Sequence, residues 1–327
     1  MTATRTPPAR ALYRRGQYWI LLGALALVFG LSRLTTSGSA VNLLDLWLAY
    51  SIAALGFYWI FALGGRFAFC QTFMMALGGY TAAWLGRQGV PFGVGVLGAT
   101  VAAALAAALI GLLLWRAEHL YFALGTLAVT EIGLVVFGRT NAFTGTNGNV
   151  TGVDYPEVFG IQLRSDGEVF WLLAAVLAIL LLLAVFLDRS PVSRDLAAGR
   201  ELPMVARGAG VAVGRLRLGM FVLGSAAGGL SGALITHWQG FIGVDSFGLD
   251  LGIGLFLMVL LGGVTSHWGV LIGAGFYVAI PELLSGARQY MPILYGAILL
   301  VVILAAPGGL AELGRRAAGL VGKEPRS

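Results

Sequence analysis

Lysine occurs once in this chain, as Lys323, and cysteine once, as Cys70. The solitary lysine stands in Gly322-Lys-Glu-Pro, so there is no glycine-rich turn ending in Lys-Ser or Lys-Thr to cradle phosphates, and the chain cannot bind ATP by a P-loop. One cysteine excludes an internal disulfide. Three scattered histidines, His119, His237 and His267, offer no Cys/His spacing for zinc. Charge is scarce too, at 11% of residues, where a soluble domain carries about a quarter. No Ser/His/Asp triad, carboxylate pair or metal cluster emerges. The sequence therefore disfavours an enzyme and nominates no catalytic or metal-binding residue.

What is abundant is apolar surface and glycine: 58% of the chain is hydrophobic and 49 of 327 residues are Gly. Apolar runs fall at 18–34, 43–63, 68–86, 93–115, 119–138, 168–187, 216–236, 250–264, 268–286 and 290–306. Runs of about 17 to 25 residues span a hydrocarbon core, and small residues let membrane helices approach closely. The expected fold is an all-α polytopic transmembrane bundle of about ten helices. A short run such as 250–264 also fits a half-helix or re-entrant segment. The break at Gly262-Gly263 and Ser266-His267-Trp268-Gly269 reads as a tight turn or a midplane interruption. The first run, between basic residues and Ser37-Gly-Ser-Ala, has a rival reading as a signal peptide. A short echo, Leu63-Gly-Gly and Leu261-Gly-Gly, is too brief to establish an internal repeat.

Net charge is +6, and its distribution points to a membrane rather than to nucleic acid. Fourteen of the 21 Lys and Arg residues lie in three segments: before the first run, in the central loop 188–215 with its immediate flank, and after the last run. This is the positive-inside pattern, which puts all three in the cytoplasm. The parity of ten crossings agrees. The layout is a cytoplasmic N-terminal segment (1–17), a transmembrane domain (18–306) holding the cytoplasmic loop 188–215, and a cytoplasmic tail (307–327). Loops 139–167 and 237–249 fall outside. The first of these, rich in turn residues, is either a docking site for an external protein or a solvated connector.

Ionisable groups deep in a bilayer are costly and usually functional. Glu131, about 17 Å into its run at 1.5 Å per residue, is the clearest interior acid. Thr126 and Thr130 read as lying near its helical face, so the three form a candidate polar lining of a pathway, with Gln71 a further candidate. Each also has a structural reading, as a helix-bonded or packing residue. Glu282, after Pro281, sits where a helix kinks or ends. In the central loop, Leu196, Met204 and Val205 among Arg and Ala predict one or two short amphipathic helices broken near Pro203. Arg194, Leu196, Arg200, Glu201, Ala206 and Gly210 are its candidate partner contacts.

The loop's Arg194-Asp-Leu-Ala-Ala-Gly-Arg-Glu and Ala206-Arg-Gly-Ala-Gly-Val resemble the ATPase-contacting segment of LivM-type permeases, the membrane subunits of branched-chain amino acid ABC importers. Gly78-Gly-Tyr-Thr-Ala, Tyr121-Phe-Ala-Leu-Gly-Thr-Leu-Ala-Val-Thr-Glu-Ile, Thr144-Gly-Thr-Asn-Gly and Met258-Val-Leu-Leu-Gly-Gly-Val-Thr-Ser-His-Trp-Gly are similar to further stretches of that family. The resemblance runs in one order over about residues 41–310. It implies a type II ABC importer permease fold, in the bacterial inner membrane, with ATP and Mg bound on partner subunits and no cofactor in this chain. The implied partners are two cytoplasmic ATPases, a second and homologous permease chain, and a periplasmic or lipid-anchored substrate-binding protein. Membrane lipid surrounds the assembly, and the loop becomes the ATPase coupling element.

The sequence departs from the family at Arg66, Ala68, Cys70 and Gln71, where Gln, Ser, Gly and His are usual, and Pro203 replaces a usually acidic position. If that helix lines the pathway, the cargo differs from leucine, isoleucine and valine. Urea or another small amide or acid is then the alternative. An ion-coupled secondary transporter, the rival from another class, needs deep proton or sodium sites, and only Glu131 offers one.

Overall fold

The computed structural model describes residues 38–117, 119–158, 161–163, 166–264, 266–283, 293 and 296. The first apolar run, nearly all of the last, the two terminal segments and the signal-peptide question lie outside them. The second to ninth runs each form one helix. These are α1 (Gly38–Tyr58, prolonged by a π-helical turn, Trp59–Leu63), α2 (Gln71–Arg87), α3 (Phe92–Leu113) and α4 (His119–Arg139). After a one-turn α5 (Asn141–Thr144) come α6 (Asp166–Arg189), the central-loop helices α7 (Pro191–Glu201) and α8 (Pro203–Gly208), α9 (Val213–Gln239), α10 (Leu249–Gly262) and α11 (His267–Leu283). Six spans among the described residues are long and apolar enough to cross a membrane. Helices α2 and α11, at 17 residues each, are shorter, about 26 Å at 1.5 Å per residue. The expected all-α bundle is what the described residues form, apart from four strands of two or three residues.

Helix α9 is the hub, packed against α1, α2 and α3. In lipid, helices gain little by hiding apolar surface from one another, so they associate by close backbone approach. The middle of the buried face of α9 is accordingly small, with Gly224, Ser225, Ala227, Gly228, Gly229, Ser231 and Gly232 between larger side chains at either end. A methyl group on Gly78 would strike the backbone of Gly229, one on Gly232 the carbonyl of Met75, and one on Gly56 the carbonyl of Gly224. Ser231 Oγ donates to the Ala49 carbonyl at 2.7 Å, adding a polar tie between α9 and α1.

Helices α10 and α11 form an antiparallel hairpin in which Gly254 faces Tyr277, Gly273 faces Met258, and Gly262 faces Gly269. The break between them is a tight turn. Gly263, at φ 103°, takes a conformation that side-chain-bearing residues rarely adopt. Trp47 Nε1 docks the hairpin on α1 through the Leu271 carbonyl, at 2.8 Å.

The connections sort onto two faces. On one, β1 (Asn149–Thr151) pairs antiparallel with β4 (Phe241–Gly243), joining the loops that follow α5 and α9. A second antiparallel pair, β2 (Glu157–Val158) with β3 (Ile161–Gln162), lies in the same connection as β1. Tyr80 OH donates to the Gly148 carbonyl, and His237 Nδ1 to that of Asp154 at 2.8 Å, so α2 and α9 both end beneath this cap. The opposite face gathers the 64–70 segment, Trp115, α7, α8, the start of α9 and the α10–α11 turn. There His267 Nδ1 lies 2.8 Å from Asp188 Oδ2.

Candidate functional site

The central loop folds as two short helices. Pro191 starts α7, where its missing N–H costs nothing. Pro203 drives Leu202 out of the helical region, to φ −134° and ψ 67°, and splits α7 from α8. Along α7, Val192, Leu196 and Gly199 recur on one side. Leu196 and Gly199 are buried, the latter against Val213. Arg200 Nη2 donates to the Ala62 carbonyl and, at 3.0 Å, to that of Leu63. These carbonyls end the helical stretch of α1, where C-terminal oxygens lack intrahelical partners and a cation is favoured. Arg200 is thus a strut between the loop and α1.

The six loop candidates divide by direction. Leu196 and Ala206, read from the sequence as partner contacts, are buried against their own chain. Both sit on the inward side of a short amphipathic helix, where an apolar side chain loses most water-exposed surface. Arg194 and Glu201 are exposed. Gly210, at φ 81°, lies in the open turn before α9. Among the residues outside that set, Leu202, Met204 and Val205 are 59%, 80% and 64% exposed, an apolar patch on an otherwise polar loop. Three apolar residues flanking Pro203 were the sequence signal for it.

The four pathway candidates do not form one lining. Gln71 is buried, and its Nε2 donates to the carbonyls of Ala53 (3.2 Å) and Gly224 (3.0 Å), tying α2 to α1 and α9. Thr126 Oγ1 accepts from the Phe69 N–H (3.1 Å), and Thr130 Oγ1 donates to the Phe69 carbonyl (3.3 Å). Both threonines therefore hold the segment before α2. Glu131 points the other way, because five and one helical steps of about 100° leave it well off the threonines' direction. It is exposed in an open cleft of about 550 Å³, lined also by Arg139, Asn147 and Asp245, on the side of the β1–β4 cap. Beside the threonine clamp, the rings of Phe57, Phe61, Phe67, Phe69 and Phe256 stack edge to face at centroid distances from 4.6 to 6.5 Å, closing the space between α1 and α10. Scattered through the sequence, these phenylalanines gave no signal.

A family model described as the permease component of a branched-chain amino acid transport system matches residues 39–307. The chain belongs to that family. It is 27% identical over 320 residues to the high-affinity branched-chain amino acid transport system permease protein LivM of Escherichia coli K12, covering 90% of this chain and 74% of the relative. The LivM of Salmonella typhimurium LT2 is 26% identical over the same shares. A probable branched-chain amino acid transport permease protein LivM of Methanocaldococcus jannaschii is 28% identical over 210 residues, 58% of this chain and 59% of that protein. No solved structure matches the chain significantly.

Family membership makes this a multi-pass membrane protein of a transport permease family, as the resemblance implied. The positions where it departs from the family pattern lie away from the Glu131 cleft. Ala68 and Cys70 are fully buried, Gln71 is the inter-helix tie, and Arg66 stacks over the Phe122 ring at 4.7 Å on the arginine-rich face. In this conformation those four departures bear on packing and on that face.

Proposed function

We propose that the chain is the permease subunit of an ATP-driven importer that carries a small amino acid of the branched-chain class across the bacterial inner membrane. The observation that carries this reading is the α7–α8 loop. It is strutted to α1 by Arg200 and presents an exposed apolar patch at Leu202, Met204 and Val205, a handle that another protein can grip and move. The arginine content of this face supports a cytoplasmic placement, and the basic residues of the two terminal segments support the same side for them. Two ATPases binding ATP and Mg dock there and shift the loop. Arg200 transmits the shift to α1, and the helices around the path between this chain and a second permease chain rock from outward to inward opening.

On the other face, the β1–β4 cap receives a substrate-binding protein, and the Glu131 cleft opens beside it. Glu131 supplies polarity to the path while ATP supplies the driving force. The test is uptake in vesicles holding the full assembly with its binding protein. Uptake is expected to need ATP and to survive an ionophore that collapses the pH gradient; loss of uptake with the gradient while ATP persists overturns the reading. Competition between leucine and urea in the same vesicles assigns the cargo, with leucine expected to compete.

A further inference from the structure

A cavity of about 600 Å³ opens on the arginine-rich face, between the 64–70 segment, α7 and the start of α9. Four arginines line it, Arg66, Arg200, Arg215 and Arg217, together with Trp115, and its lining includes no acidic residue. The start of α9 adds to the positive potential. Its first turn carries no acid, and Ala212 contributes no side-chain cap. Arg215 and Arg217 thus sit at the positive end of a 27-residue helix, where a helix favours anions. Burial, and then the charge of Arg217, lower the pKa of Arg66. Guanidinium groups do not shed their protons in proteins, so the positive charge of this cavity persists at any physiological pH.

The cavity does not end at the arginines. Trp115 also walls a second cavity, with Leu112, Leu113 and Arg116. From there the exposed side of α3 runs back through Leu109, Leu105, Val101 and Leu97, all more than half exposed and spaced by three or four residues along one helical stripe. In a membrane protein such a stripe faces acyl chains, and a tryptophan at its end sits at headgroup level. A positive cavity with room for a whole headgroup is thus joined to an acyl-chain surface at the depth of the lipid headgroups.

We propose that this cavity binds the phosphate of an anionic phospholipid headgroup, with the acyl chains lying along α3. A free phosphate would use the arginines but not the α3 stripe. A docking protein has its own apolar patch at Leu202, Met204 and Val205, on the surface of α8. The site is independent of what drives transport.

Native mass spectrometry of the full chain in detergent, titrated with phosphatidylglycerol or phosphatidylethanolamine, tests it. Phosphatidylglycerol is expected to be retained roughly tenfold better. Arg66→Gln combined with Arg215→Gln is expected to abolish that preference, while Arg87→Gln, at the far end of α2, keeps it. If the double variant does not fold, Arg215→Gln alone, an exposed side chain, reads the same loss at smaller amplitude. Excess inorganic phosphate is expected to leave the lipid bound. Equal retention of the two lipids, or a preference unchanged by the arginine variants, overturns the proposal. So does displacement by inorganic phosphate, which marks a small-anion site. Arginine variants that release co-purified ATPase subunits while keeping the lipid preference overturn it in favour of a protein carboxylate.

Discussion

Gln71 and Glu131 show how differently two polar residues serve in an apolar chain. The Gln71 amide crosses between two backbone carbonyls on different helices and is itself buried. Gln71→Leu should lower stability by about 1–3 kcal/mol, and Gln71→Glu by more, since a carboxylate would face two carbonyl oxygens. Thermal unfolding of the purified protein measures both, and a Leu variant as stable as the parent would show the tie to be idle. Glu131→Gln keeps a polar cleft wall and should retain most transport, whereas Glu131→Leu should lose most of it. Uptake at matched expression checks this, and a Gln variant as inactive as Leu would show that the carboxylate charge itself is needed. The position of Glu131 along its helix was legible in the sequence from a count along its run. Its direction was not, because lipid and protein both accept apolar neighbours, so a helix apolar on all sides carries no stripe to mark its inner face.

At the level of elements, apolar runs located all eight long helices among the described residues, and Pro203 located the break between α7 and α8. Contacts between segments distant in sequence, such as Arg200 with the carbonyls of Ala62 and Leu63, left no such trace. That strut predicts a coupling phenotype. Arg200→Glu sets a carboxylate against those oxygens and should free the loop, giving ATP hydrolysis without uptake, and Arg200→Lys should restore part of the coupling. Gly210→Pro, at a φ of 81° that proline cannot reach, should uncouple similarly. Hydrolysis and uptake measured on one preparation distinguish these from a folding defect. Among the helix-packing glycines, Gly78→Val should abolish folding because its side chain meets the Gly229 backbone. Gly138→Ala, with nothing nearby, should be neutral or stabilising by up to about 1 kcal/mol. Yield and monodispersity on size exclusion separate the two outcomes.

For the molecule as described, the central loop lies on the face opposite the β1–β4 cap, and one buried cysteine makes sidedness easy to measure. With Cys70→Ala as background, Thr151→Cys in β1 should react with a membrane-impermeant maleimide on intact spheroplasts. Ala198→Cys in α7 should react only after the membrane is opened. The reverse pattern would put the arginine-rich face outside and remove the ATPases from it.

The central position of α9 has a consequence for how the chain is made. Its partners α1 to α3 end at Leu113, whereas α9 begins only at Val213, so about 100 residues must be synthesised between them. At roughly 5–20 residues per second, the three helices wait on the order of 5–20 seconds in the bilayer before the hub arrives. During that interval Gly56 and Gly78 offer bare backbone to lipid or to each other. A ribosome stalled before α9 therefore leaves a fragment in which α2 still packs on α3 but the hub that joins both to α1 is missing, a natural substrate for membrane proteases.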